Sequence, residues 1–193
     1  MPALADPSFA DVLVGDTPLL NLSFAFPELG SKVKVMAKAE WHNPGGSVKD
    51  RAAWFIFRDA IATGKLTKGK VLLDSSSGNT GIAYAWIGAR LGYKVSLALP
   101  GSVSKHRRAI LEAYGVELLF TDPLEGSDGA IREVRLMMKA EPGRYFYADQ
   151  YSNPMTWRAN RIGPSVILTP TTPWADMAKP EACIRSIADS RAE

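Results

Sequence analysis

Between Val71 and Tyr147, short apolar runs alternate with stretches of helical length. No other feature of this 193-residue chain constrains its fold as much. Val71 to Asp74, Val95 to Leu99, Glu117 to Phe120 and Tyr145 to Tyr147 read as strands. Asn79 to Leu91, Ser104 to Tyr114 and Ser127 to Ala140 read as the helices between them. Gly92 and Gly115 follow the first two helices, and glycine enters the left-handed conformation that ends a helix without steric cost. Pro142-Gly143 stops the third. Strands alternating with helices of this length imply parallel βαβ units. Unbroken apolar strands are buried on both faces. The expected class is therefore α/β, a three-layer parallel sheet with helices on both faces.

The flanks differ. Upstream, an apolar segment surrounds Thr17-Pro18-Leu19-Leu20, and Lys32 to Lys38 alternates lysine with apolar residues, the period of a strand. Asn43-Pro44-Gly45-Gly46 is a strong turn signal. Ser47 can cap the helix that follows it, and Gly64 can end that helix. After Asn160 the rhythm stops. Residues 161–193 hold Pro164, Pro170, Pro173 and Pro180, but Gly163 is their only glycine among the 16 of the chain. No strand–helix unit is expected there. Ala182, Ile184, Ile187 and Ala188 give Lys179 to Ala192 the spacing of a weak helix, and the tail as a whole is expected to be poorly ordered.

Composition removes several classes of function. With 46% hydrophobic and 22% charged residues, the chain is not of the disordered type. A lone cysteine, Cys183, cannot build a disulfide framework. A net charge of +3 is too small to argue for a nucleic-acid partner. The run Lys105-His106-Arg107-Arg108 opens a helix and reads as a solvated face. Met1 to Asp6 lacks the basic start and apolar core of a secretory signal. The densest apolar run, Ala52 to Phe57, is far short of the roughly 20 residues of a membrane helix. A cytoplasmic location without a membrane partner is expected. No metal site is expected either, since His42 and His106 lie far apart and Cys183 is in the tail.

Two segments can carry chemistry. In Asn43-Pro44-Gly45-Gly46-Ser47-Val48-Lys49-Asp50-Arg51, a lysine stands in the first turn of a helix behind a Gly-Gly turn. The partial positive charge of a helix N-terminus disfavours an ammonium there. A neutral amine is what Schiff-base chemistry with a carbonyl requires. From this segment alone, Lys49 also reads as a solvated lysine at a helix start. Ser75-Ser76-Ser77-Gly78-Asn79-Thr80-Gly81 lies after a strand and before a helix, where backbone N–H groups and hydroxyls can hold a carboxylate or phosphate. The same residues also serve as plain helix caps. The Gly78–Gly81 spacing is not a dinucleotide fingerprint, and neither a Walker A motif nor a Gly-x-Ser-x-Gly elbow occurs.

Together these segments resemble the fold-type-II pyridoxal-phosphate enzymes, most closely the cysteine synthase and cystathionine β-synthase group. Val14-Gly15-Asp16-Thr17-Pro18-Leu19 is similar to the family's opening I-G-x-T-P-L. Asn43 to Arg51 matches N-P-G-G-S-V-K-D-R, and Ser77 to Gly81 matches S-G-N-T-G. Pro100 to Leu118 and Asp149-Gln150-Tyr151-Ser152-Asn153-Pro154 resemble the stretches that follow. The resemblance implies that Lys49 forms the Schiff base with pyridoxal 5'-phosphate and takes the substrate α-proton. Asn79 would hydrogen-bond the cofactor ring oxygen. Ser76, Ser77, Gly78, Asn79, Thr80 and Gln150 would bind the carboxylate of a small amino-acid substrate. The implied reaction replaces the acetate of O-acetylserine by sulfide to give cysteine. A serine or threonine dehydratase, a cystathionine β-synthase and an inactive ligand-binding module are the alternatives.

The resemblance also implies a division of the chain. Residues 1–42 would belong to the large domain, 43–150 would form the small α/β domain, 151–160 a return segment and 161–193 a divergent tail. The full-length family is expected to be homodimeric. Two departures stand out. Asp74-Ser75-Ser76 occupies the place of a frequent Glu-Pro-Thr. The family's Gly-rich phosphate cradle has no counterpart after Gln150, so most of the large domain is missing and the implied activity would be impaired in these residues.

Overall fold

The computed structural model describes residues 14–31, 33–161 and 166–170. Lys32, Cys183 and the helix expected over residues 179–192 lie outside the described residues. The elements run β1 (Leu19–Asn21), β2 (Val33–Lys38), α1 (Lys49–Ala62), β3 (Val71–Ser75), α2 (Asn79–Leu91), β4 (Lys94–Pro100), α3 (Lys105–Ala113), β5 (Glu117–Thr121), α4 (Gly126–Ala140), β6 (Tyr145–Tyr147), α5 (Pro154–Arg161) and β7 (Val166–Pro170).

The expected parallel sheet is present, with strand order β5-β4-β3-β6. Successive side chains of a strand point to opposite faces, and two separate cores result. Leu72 and Leu97 pack with Phe57 of α1, Tyr84 and Ile87 of α2 and Leu111 of α3. Val71, Leu73 and Ala98 pack on the other face with Ala130 and Val134 of α4. These are the three layers. All five residues of β3 are buried, as a central parallel strand requires.

Local chemistry explains the boundaries. Gly92 and Gly115 take φ of +69° and +75° behind α2 and α3. The Ser104 hydroxyl accepts the Arg107 N–H and caps α3. The N-cap of α1 is Val48 rather than the expected Ser47, whose Oγ accepts the Lys49 N–H at 3.2 Å from one residue further back. Gly88 cannot be larger, because a Cβ there would stand 2.4 Å from Val95 on β4.

Outside that sheet, β1, β2 and β7 form a second, antiparallel sheet in the order β1-β2-β7. Strand β7 lies in the stretch where no strand–helix unit is expected, and it is a lone strand among the described residues there. Val166 to Pro170 pairs with β2 from Ala37 back to Val33. Its proline stands on an edge strand, where a missing N–H is tolerated. A ladder partner distant in sequence supplied this strand, and no local rhythm announces it. Helix α5 packs against α1.

Candidate active site

The C-terminal ends of β3 and β4, with the segments that follow β5 and β6, line one cavity of about 320 Å³. Strand β3 leads into its wall from Ser75 to Thr80, β4 contributes Ala98 and Pro100, the helix after β5 contributes Ser127 and Ala130, and the turn after β6 contributes Gln150 and Tyr151. Lys49, at the start of α1, completes it. Ligands of α/β sheets bind at this edge because loops and helix N-termini converge there.

Each part is held by a specific contact. The turn before Lys49 is built on Asp50, which is wholly buried and accepts the Gly45 N–H at 2.6 Å and the Trp86 Nε1–H at 3.0 Å. A Cβ on Gly45 would meet Asp50 Oδ1 at 2.4 Å and Trp86 Nε1 at 2.7 Å, so this position must be glycine. Burial pushes the Asp50 carboxyl above the ordinary aspartate range, against those two hydrogen bonds. Gly46 turns with φ of +76° and leaves Lys49 exposed at the cavity.

The loop after β3 is shaped by Gly81. Its N–H donates to Ser76 Oγ at 3.0 Å, and a Cβ there would stand 2.6 Å from the Ser76 carbonyl oxygen. Asn79 and Thr80 are the first residues of α2, where a helix leaves N–H groups without a carbonyl of its own to pair with. Arg107 buttresses the outside of the loop, donating from Nη1 to the Ser77 carbonyl at 3.1 Å. Lys105 to Arg108 are all exposed, and Arg108 pairs with Glu112 at 2.8 Å. Gln150 closes the wall, its Nε2 donating to the Ser75 carbonyl at 3.0 Å.

The structure brings Lys49, Ser76, Ser77, Gly78, Asn79, Thr80 and Gln150 to a single cavity. Ser75 and Tyr151, which lie inside the motif segments without a role of their own, share it, and so do Ala98, Pro100, Ser127 and Ala130, which lie outside the two chemistry-bearing segments. Ser75, Ala98, Pro100 and Tyr151 lie in or after the final residues of strands, a positional signal, whereas Ser127 and Ala130 reach the cavity from α4. A second cavity near Phe120 and Arg132 holds none of the expected residues. Among the described residues, no group of three His, Cys, Asp or Glu side chains could hold a metal, and no helix is long and apolar enough to cross a membrane.

The start of α1, at Lys49, and the start of α2, at Asn79 and Thr80, thus line one cavity. Residues 11–167 match the pyridoxal-phosphate-dependent enzymes, and the chain belongs to that family. It is 50% identical over 149 residues to a cysteine synthase of Aquifex aeolicus, covering 77% of this chain and 46% of that protein. With cysteine synthase B of Salmonella typhimurium it shares 43% over 141 residues, covering 73% and 45%. The crystal structure of a cysteine synthase from Entamoeba histolytica superposes with a TM-score of 0.72 at 41% identity, covering 77% of this chain and 44% of that one. An O-ureido-L-serine synthase structure gives 0.71 at 34% identity, covering 81% and 48%. The chain thus spans just under half the length of these relatives.

Proposed function

We propose that this cavity is the amino-acid side of a cysteine synthase active site, and that the reaction is replacement of the β-substituent of O-acetylserine, or a related activated serine, by sulfide. The observation that carries this reading is the shared cavity of Lys49 and the Ser76–Thr80 loop. The donor set suits pyridoxal phosphate, with a primary amine for its carbonyl and the Asn79 amide for its ring oxygen. Bound there, the cofactor would supply an electron sink for charge developing at the substrate α-carbon.

The chain's own residues would do the rest. The N-terminus of α2, with the hydroxyls of Ser76, Ser77 and Thr80, neutralises and orients the substrate carboxylate. Gln150 offers its remaining amide N–H and its carbonyl from the opposite wall. Lys49, the amine that would hold the cofactor's carbonyl, would also move the α-proton at its Nζ. The buried Asp50 and Trp86 contacts hold the turn that sets where Nζ can reach.

The test is spectroscopic. Pyridoxal phosphate added to the purified chain should give a visible band that Lys49→Ala lacks. No band in the wild type, or an equal band in the variant, would sink the proposal. Cysteine formation from O-acetylserine and sulfide, compared with ammonia release from serine and threonine, then separates replacement from dehydration.

A further inference from the structure

Asp74 has no part in the chemistry above, yet it is a fully buried carboxyl one residue before the loop that forms the cavity wall. Its two oxygens accept from two segments of chain. Oδ1 takes the Ser75 N–H at 2.8 Å, and Oδ2 takes the Gln150 N–H at 3.2 Å. Gln150 returns the tie through its side chain, which donates to the Ser75 carbonyl. Its own carbonyl accepts the Thr156 hydroxyl at 2.8 Å. The turn holding Gln150 enters through Asp149, whose φ is +45°. A neutral aliphatic residue would leave both N–H groups unpaired. An asparagine would point its amide N–H₂ at one of them. Only a carboxylate offers an acceptor to each.

We infer that Asp74 is a positioning residue: ionised, it locks the Gln150 turn against the Ser75–Thr80 loop and fixes the width of the amino-acid cavity, and protonated, it releases the turn. The functional half of this inference rests on the amino-acid reading of the cavity, whereas the lock itself does not. Burial pushes the Asp74 carboxyl up to about 6, so the change falls at mildly acidic pH. The titratable groups facing it are Tyr84 from α2, Tyr147 from β6 and Asp149 from the turn. Its register partner on β4, Leu97, brings none. Tyr84 lies beside it without a well-aligned hydrogen bond, and its own proton is held by burial well above neutral pH. Asp149 repels the charged form and so adds to the upward push on this carboxyl.

Amide hydrogen exchange on the free chain between pH 5 and 8, corrected for intrinsic rates, reads the lock without cofactor. Protection of the Gln150 amide should fall about tenfold as pH drops through the transition, while Leu97 and Leu99 keep theirs. In Asp74→Asn, Gln150 should be weakly protected at every pH, and Asp74→Glu should restore a pH dependence. If Asp74→Asn loses protection on β4 as well, it has failed to fold, and the wild-type series decides alone. Gln150 protection independent of pH would overturn the lock. L-serine titrated into the chain loaded with pyridoxal phosphate reads the functional half, and its affinity should fall over the same pH range. Binding that fails at every pH while exchange behaves as stated condemns the reading of the cavity and leaves the lock standing.

Discussion

The dipeptide Leu-Leu occurs in β1 and again in β3, with opposite fates. Leu72 and Leu73 of β3 are 0% exposed, whereas Leu19 and Leu20 of β1 are 36% and 37% exposed. Strand propensity cannot separate them. What differs is the number of layers. The parallel sheet has α1, α2 and α3 on one face and α4 on the other, so each leucine meets a helix. Among the described residues no helix layer covers the antiparallel sheet, and Phe24, Phe26, Leu29 and Trp41 near it are exposed too. Burial comes from the second layer, and the apolar sequence is only the precondition for it.

The largest expected effect tests that contrast directly. Leu72→Ala should cost about 2–5 kcal/mol, the range for a leucine removed from a rigid core. Leu20→Ala should stay within about 0.5 kcal/mol. Urea denaturation of both variants checks this, and equal losses would break the comparison.

Two carboxyl groups sharpen it further by titrating in opposite senses. Asp74, inside the parallel sheet, has its folded pKa raised to about 6. The folded state therefore holds a proton that the unfolded chain has released, and stability falls as pH rises from about 4 to about 6. The penalty at neutral pH is roughly 3 kcal/mol. Glu40 stands where the antiparallel segment joins α1. Burial works to raise its pKa, but hydrogen bonds from Arg51, Asn43 and Thr17 prevail and hold it below the usual carboxylate range. Its contribution is present above about 4.3 and is lost as pH falls through the lower folded value. Stability should thus increase from pH 7 to 5 in the wild type, and Asp74→Asn should remove most of that increase. Global stability can rise while the local Gln150 contact opens, because the two are separate equilibria.

The Glu40 junction provides the next, smaller effect. Arg51 Nε meets Glu40 Oε2 at 2.8 Å, and Nη2 donates to Thr17 Oγ1 at 2.9 Å. Asn43 donates to Glu40 at 2.7 Å and accepts the Gly15 N–H at 3.0 Å. These bonds tie residues 15–17 to the start of α1. Arg51→Ala should cost about 2 kcal/mol, because Glu40 is left largely buried without its cation. Glu40→Gln combined with it should lose less than the two single changes added together. Full additivity would show that the contact does not couple the two regions.

The same contrast explains what was legible in the sequence. The parallel unit announced itself because every signal there is local: apolar runs, a glycine at each helix end, and turn motifs at the strand ends. Lys49 and the Ser76–Thr80 loop were readable for that reason. Strand β7 was not, since its partner β2 lies well over a hundred residues upstream and Pro164 and Pro170 argue against a strand. Ser127 and Ala130 escaped because they reach the cavity through the path of α4, a property of topology. Asp74 looked like a mere departure from a motif until the fold brought Gln150 to it across 76 positions.

The smallest expected effect lies on the bare side of the comparison. Phe24 is 82% exposed in a short turn beside β2. An aromatic ring in that position has no transfer energy to lose, since water already contacts most of it. Phe24→Ser should therefore leave the urea midpoint within about 0.5 kcal/mol of wild type. Phe57, fully buried in α1, should lose about 3–5 kcal/mol when cut to alanine. A loss above about 1 kcal/mol at Phe24 would mean that something covers this turn in solution. The antiparallel sheet would then be half of a core, and the contrast between the two regions would reduce to a difference in which layer is in place.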